Sequence, residues 1–129
     1  MPQFRVSTVS TRSTQEVFED HLRKRDEDNF EGDLKLNYAP DVVMLTCSGI
    51  FRGHEGLRQS YQVLERSLPD AKIECFNKLI DSEFAFLEWR AKNHTVEARE
   101  GADSFVIRGG KIVFQSIHYK VHPFERQES

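Results

Sequence analysis

At Ala71 the periodicity of this chain changes, and that change restricts the fold more than any other feature. Before it, apolar residues recur at helical spacing; after it they alternate, as along a strand with one buried face. The segments "AKIECFNKLI" and "EFAFLEWRAK", joined by a tight "DSE" turn, predict a hairpin. "GADSFVIR" and "KIVFQSIHYKV" predict a second pair around Gly109–Gly110. On the other side of the boundary, Ser13 and Glu16 form a capping box ahead of Val17, Phe18, His21, Leu22 and Arg25 on one helical face. Phe30, Leu34 and Tyr38 predict a second helix, ended by Pro40 and its restriction on Ala39. A strand over Val42–Thr46, a turn at Ser48–Gly49 and a short strand Ile50–Arg52 follow. A third helix begins after Gly53, carries Leu57, Tyr61, Leu64 and Leu68 on one side, and stops at Pro69. Helices first and antiparallel strands after them define an α+β domain with its helices on one face of a sheet.

The 129 residues suit one domain, and ten phenylalanines provide material for its core. The expected organisation is a mobile arm over 1–12, a single domain over 13–122 and a tail over 123–129. Eighteen basic and 21 acidic residues are interspersed, without the basic stripe of a nucleic-acid binder. No apolar run approaches the roughly 18 residues of a membrane span, and the first residues are too polar for a signal peptide. A soluble, cytoplasmic protein is expected. Cys47 and Cys75 are expected to be buried, reduced thiols. His118 and His122 lie on a predicted strand, where four residues span about 13 Å, too far for one shared ion. No metal and no cofactor are expected.

Strand alternation nominates residues for the space between sheet and helices. In the last strand Val113, Gln115, Ile117, Tyr119 and Val121 share the more continuously apolar face, which is turned inward. Ile112, Phe114 and His118 then lie outside, and His118 would face inward only if that strand were flipped. Turning Phe105 and Ile107 inward carries Asp103 with them. An aspartate on an apolar face is costly unless paired or protonated, so Asp103 is the most informative polar residue. In "FAFLEWRAK" periodicity alone makes Ala85, Leu87, Trp89 and Ala91 the core row, leaving Glu88 and Arg90 outside. A one-residue slip in "KNHTVEAREG" reverses this and turns Glu88 and Arg90 toward the ligand.

The order of "EGDLKLNYAPDVVML", "FRGHEGL" and "GADSFVIRGGKIVFQSIHY" resembles the nuclear-transport-factor-2-like superfamily, in its SnoaL-like branch. The resemblance runs from about Ser13 to Val121. It implies a cone-shaped, curved antiparallel sheet closed by three helices around a pocket, commonly in homodimers that pair sheet face to sheet face. Such folds host ketosteroid isomerase, polyketide cyclases, limonene epoxide hydrolase and scytalone dehydratase beside binding-only members. By this resemblance Asp103 matches the pocket aspartic acid of ketosteroid isomerase, which stays protonated and donates a hydrogen bond to an oxyanion. Tyr61 matches a tyrosine of the same network, and Tyr119 an aromatic lining residue. The same count from Asp103 favours Glu88 and Arg90 in the cavity, where Arg90 could pair with Asp103 or Glu88. Thr46 stands where that isomerase keeps its carboxylate base, and Leu22 near its catalytic tyrosine. Steroid isomerisation by that route is therefore not expected.

These readings together give a dimer that binds a small organic ligand in an enclosed, mostly apolar pocket. Any chemistry would be cofactor-free: isomerase, cyclase, dehydratase or hydrolase. Asp103 is the candidate catalytic residue, and Thr46, Tyr61, Glu88, Arg90, Phe105, Gln115, Ile117 and Tyr119 are the candidate lining. The alternative is a non-catalytic module for ligand sensing or protein association, using an apolar outer patch of Phe114 and Trp89.

Overall fold

The computed structural model describes residues 11–123. The expected arm over 1–12 and tail over 123–129 lie almost wholly outside the described residues. Helix α1 (Thr14–Asp26) starts at Ser13, whose hydroxyl accepts from the Glu16 N–H while the Glu16 carboxylate accepts from the Ser13 N–H. Its inward stripe is Val17, Phe18 and His21, as the spacing predicts. Helix α2 (Phe30–Asn37) ends before Tyr38, which opens strand β1 (Tyr38–Thr46). The helix ends earlier than expected: Pro40 restricts Ala39, and Tyr38 before it is already extended as the first residue of β1.

Strand β2 (Gly49–Arg52) and helix α3 (Gly53–Ser67) follow, then β3 (Lys72–Asp81), β4 (Phe84–Lys92), β5 (Val96–Arg108), β6 (Lys111–His118) and a short β7 (His122–Pro123). The β5–β6 turn uses positive φ at Gly109 and Gly110, 61° and 78°, which glycine adopts without steric cost. The sheet order is β2-β1-β6-β5-β4-β3, an open curved sheet, with β7 beside β5. Most neighbours are antiparallel, but β1 runs parallel to β6, so the sheet is mixed. Pairing of strands so distant in sequence leaves no local pattern from which direction could be read. Helix α1 packs over β4 and β5, and α3 over β1 and β2.

On β4 the inward row is Ala85, Leu87, Trp89 and Ala91, all buried. This corrects the register slip: Glu88 and Arg90 point to the outer face. Glu88 accepts from the Asn77 side chain at 2.9 Å, and Arg90 lies over the Phe76 ring and 3.7 Å from Glu74. It also removes Trp89 from the proposed outer patch. The irregularity sits at Trp89/Ala91, where β5 is offset, so the family-based count failed across that connection. A second offset between Val106 and Ile107 skips Val113, burying Ile112 completely while Phe114 stays outside. The thiols also differ from expectation: Cys47 and Cys75 are both exposed and unpaired. Cys75 lies on the edge strand β3, and Cys47 on the turn after β1. Among the described residues no helix is long and apolar enough to cross a membrane.

Candidate functional site

The interior of the fold carries a line of polar groups inside an otherwise apolar core. Asp103 projects from β5 beside Phe105 and is almost fully buried. The Trp89 indole N–H donates to its Oδ1 at 2.8 Å, and the Gln115 amide donates to its Oδ2 at 3.0 Å. The Tyr38 hydroxyl donates in turn to Gln115 Oε1. Four strands, β1, β6, β5 and β4, therefore contribute one group each to a single hydrogen-bonded row. Burial pushes the Asp103 carboxyl above its ordinary value, while the hydrogen bonds from Trp89 and Gln115 and the charges of His21 and Arg25 oppose that rise. Burial likewise pushes the Tyr38 phenol well above the usual tyrosine value.

A second cluster lies above this row, on the helices. His21 on α1 and Asp33 on α2 are 2 % and 0 % exposed, with His21 Nδ1 2.7 Å from Asp33 Oδ2. Asn37 donates to Asp33 Oδ1 at 2.8 Å and to Asp20 Oδ2 at 2.9 Å. Burial raises the Asp20 carboxyl, but hydrogen bonds from Asn37, Lys24 and Arg23 together hold it below its ordinary value. Arg12 closes the cluster from outside, donating to Asn37 Oδ1 at 2.8 Å and to the carbonyls of Leu36 and Gly110. The His21 ring packs edge-on against Tyr38 and Phe105, at 5.8 and 5.3 Å between centroids. Asp33 fixes Nδ1 as the donor nitrogen, so in the neutral ring Nε2 carries the lone pair. Among the described residues Nε2 has no hydrogen-bond partner.

The sequence-nominated residues divide clearly. Asp103, Phe105 and Gln115 come together in the buried row, with Ile117 opposite Asp103 in register. Tyr119 is close by, its ring 5.8 Å from that of Trp89. Tyr61 lies farther out, stacked on Phe30 with its hydroxyl 3.4 Å from Asp28. Thr46 is engaged in its own turn, accepting from the Ser48 N–H at 2.9 Å and donating to the Gly49 carbonyl. Glu88 and Arg90 are outside, and Arg90 pairs with neither Asp103 nor Glu88. His118 is exposed opposite Ala102, so the flipped register is not adopted.

Sequence reasoning missed His21, Asp33, Tyr38 and Trp89 as members of one constellation. The available signal was polar residues on apolar helical faces: His21 beside Phe18, and Asp33 and Asn37 beside Leu34. The arrangement gives three buried carboxyl groups in different settings: Asp33 held by an imidazole and an amide, Asp103 by two neutral donors, and Asp20 by an amide and two cations. Paired titratable groups in contrasting environments are how folds divide acid and base roles. Among the described residues no group of three or more His, Cys, Asp or Glu side chains is placed to hold a metal ion.

The Asp103 environment makes a pH prediction. Its folded-state pKa is raised, so the folded protein holds that proton more tightly than the unfolded chain does. This contribution is complete below the ordinary value of 3.8 and is lost as pH rises from there through the raised folded value. Asp103→Asn, which does not ionise, is expected to gain stability relative to the wild type across that window. Thermal melts of both proteins at stepped pH check this; parallel curves would contradict it.

No family model matches the sequence, and no curated protein matches it. The fold, however, has many solved counterparts. An NTF2-like protein of unknown function from Mesorhizobium loti superposes with a TM-score of 0.68 at 15 % identity, covering 93 % of this chain and 97 % of its own. A candidate SnoaL-like polyketide cyclase from the same organism gives 0.65 at 14 %, covering 84 % of this chain and 100 % of its own. TerC, co-crystallised with polyporic acid, gives 0.68 at 15 %, covering 83 % of this chain and 91 % of its own. With three helices laid over an open, curved, mixed sheet, the chain has the NTF2-like fold seen in these structures.

Proposed function

We propose that this chain binds a small organic molecule between its helices and sheet and moves a proton on it without a cofactor. The observation that carries the reading is the buried His21–Asp33 pair, whose imidazole ring packs against Tyr38 and Phe105 beside the Asp103 row. Burying so many polar groups in a core of this size is costly, which favours a use beyond packing. In this reading His21 Nε2 takes a proton from the ligand, and Asp33 stabilises the imidazolium that results. Asp103, biased by burial toward its neutral form, donates a hydrogen bond to the negative charge left on the ligand. His21 then returns the proton at a different atom, completing an isomerisation, or supplies it to a leaving hydroxyl in a dehydration. The two exposed, unpaired cysteines suit the reducing cytoplasm as its location.

Polyporic acid is a suitable first binding probe, with the single tryptophan, Trp89, as reporter. Proton transfer is read separately, as exchange of carbon-bound hydrogen for deuterium on an enolisable aryl ketone such as 2-tetralone. His21→Gln is expected to leave probe binding within about threefold and to slow exchange by roughly 10²–10⁴-fold. Unchanged exchange in that variant would remove His21 from the chemistry.

A second reading, self-association, is favoured by a separate observation. On the outer face Leu79 and Phe84 are 57 % and 53 % exposed. With Phe86, Val106 and Phe114 they line a groove of about 550 Å³. Cross-strand pairs Leu79–Phe86, Phe84–Val106 and Val106–Phe114 make this one continuous apolar surface, which a second copy of the chain could cover. Light scattering should give twice the 15.0 kDa chain mass, and Phe84→Glu should return it to one. A wild-type monomer at micromolar concentration would rule this out.

A further inference from the structure

Arg25 is the cation of α1 that neither the helix surface nor the buried cluster uses. It lies one turn beyond His21 on the same stripe, half-buried, while its neighbours Arg23 and Lys24 bind Asp20. The guanidinium carbon sits 5.0 Å from the Tyr61 ring centroid and 5.7 Å from that of Phe30. Those two rings are themselves stacked, 4.2 Å apart and nearly parallel. The ring faces hold the guanidinium by cation–π attraction and leave its N–H groups without a carboxylate. Among the described residues no Asp or Glu lies within ion-pair distance of it, although Asp26 and Asp28 are close in sequence.

Its position is inward. The charge of Arg25 favours ionisation of Tyr38 on β1, Tyr61 on α3, Cys75 on β3 and Asp103 on β5. Cys75 is opposite Trp89, so its side chain belongs to the inner face of the sheet, yet it is exposed. Lys78, opposite Leu87 on the same inner row, is exposed too and adds a second positive charge near Cys75. Both of these inner-row side chains are therefore open to solvent near the end of α1, where the cations Arg25 and Lys78 stand with one anion, Asp26.

We infer that Arg25, held beside the stacked rings of Phe30 and Tyr61, recognises the carboxylate of an organic-acid ligand entering between α1 and β3. A planar guanidinium with free N–H groups binds a carboxylate through two parallel hydrogen bonds, which neither a lysine nor a neutral donor reproduces. The apolar body of the ligand then points along the α1 stripe toward His21 and the Asp103 row. This inference rests on the interior-binding reading and supplies its substrate class.

The test uses the Trp89 indole N–H, the single such signal in a ¹H–¹⁵N spectrum and a direct donor to Asp103. The full chain is titrated with 2-naphthoate and with 2-naphthylmethanol, which share an apolar body and differ in charge. Wild type is expected to bind the carboxylate at least 10-fold more tightly. Arg25→Met, which keeps an apolar stem against the two rings, should erase that preference while leaving the alcohol's Kd within about twofold. Arg25→Lys should restore only part of it. A preference that survives Arg25→Met, or equal weakening of both probes, overturns the assignment of Arg25 and leaves the interior-binding reading standing. If neither probe moves the indole signal at millimolar concentration, both the reading and the inference fall.

Discussion

Replacing Asp33 by alanine is expected to cost about 3–5 kcal/mol of folding stability, more than any other single polar substitution in this chain. Asp33 is completely buried, and its two oxygens serve separate partners, His21 on α1 and Asn37 on its own helix. Removing the carboxylate leaves the His21 Nδ1 and one Asn37 donor position without acceptors where water does not reach. A buried polar group stripped of its partner carries its full desolvation cost. Domains of this size are stable by only about 5–15 kcal/mol, so a substantial unfolded fraction at 37 °C is expected. Urea denaturation measures it. A loss below about 1 kcal/mol would mean that the two helices separate enough to admit solvent. Asp33→Asn should fall between the extremes, since one amide oxygen still faces His21 while its NH2 opposes that of Asn37.

Gly101→Ala is expected to be the most damaging of the small substitutions. A Cβ at this position would lie 2.3 Å from Trp89 Cε2 and 2.4 Å from Cδ2. The indole cannot retreat easily: it is 5 % exposed, tied to Asp103 and packed near Tyr119. Overpacking a core costs about 1–3 kcal/mol, and contact with a rigid ring places this case at the upper end. A fall in Tm of about 10 °C is expected, on the usual scaling for a domain of this size. The same displacement pulls the indole from Asp103, so Trp89 emission should move to longer wavelength. An unshifted spectrum with an unchanged Tm would mean that the β4–β5 offset can absorb a methyl group.

Both predictions depend on contacts that a linear reading reaches unequally. Periodicity identified the inward row of β4 correctly, because Ala85, Leu87, Trp89 and Ala91 alternate without interruption. It failed at Ile112, because the offset beside Val113 shifts the phase within one strand and leaves no compositional mark. Asp103 stood out because a lone carboxylate on an apolar strand needs an explanation. Its donors came from positions 14 residues earlier and 12 later, and only tertiary pairing reveals them. The His21–Asp33 pair was less accessible still. Each residue alone is an ordinary polar interruption of a helix, and the pair exists because α1 and α2 pack side by side. Arg25 was read on the inward stripe, but its lack of a carboxylate partner among the described residues is a property of three-dimensional space.

The central position of β6 bears on how the chain acquires its structure. Strand β6 joins two groups that do not otherwise touch in the sheet order, β1 with β2 on one side and β3 to β5 on the other. The hairpins of the second group close short loops and can form early. The β1–β6 ladder, with Thr46 paired to Ile117, closes a loop of most of the domain and raises its contact order. Refolding should thus pass through a stage in which the β3–β5 meander exists and β1–β2 does not. A chain emerging from a ribosome would hold three helices without a complete sheet to cover them until His118 is clear of the tunnel. The strand at the middle of the sheet is among the last to be made, and this domain therefore completes its core in a single late step.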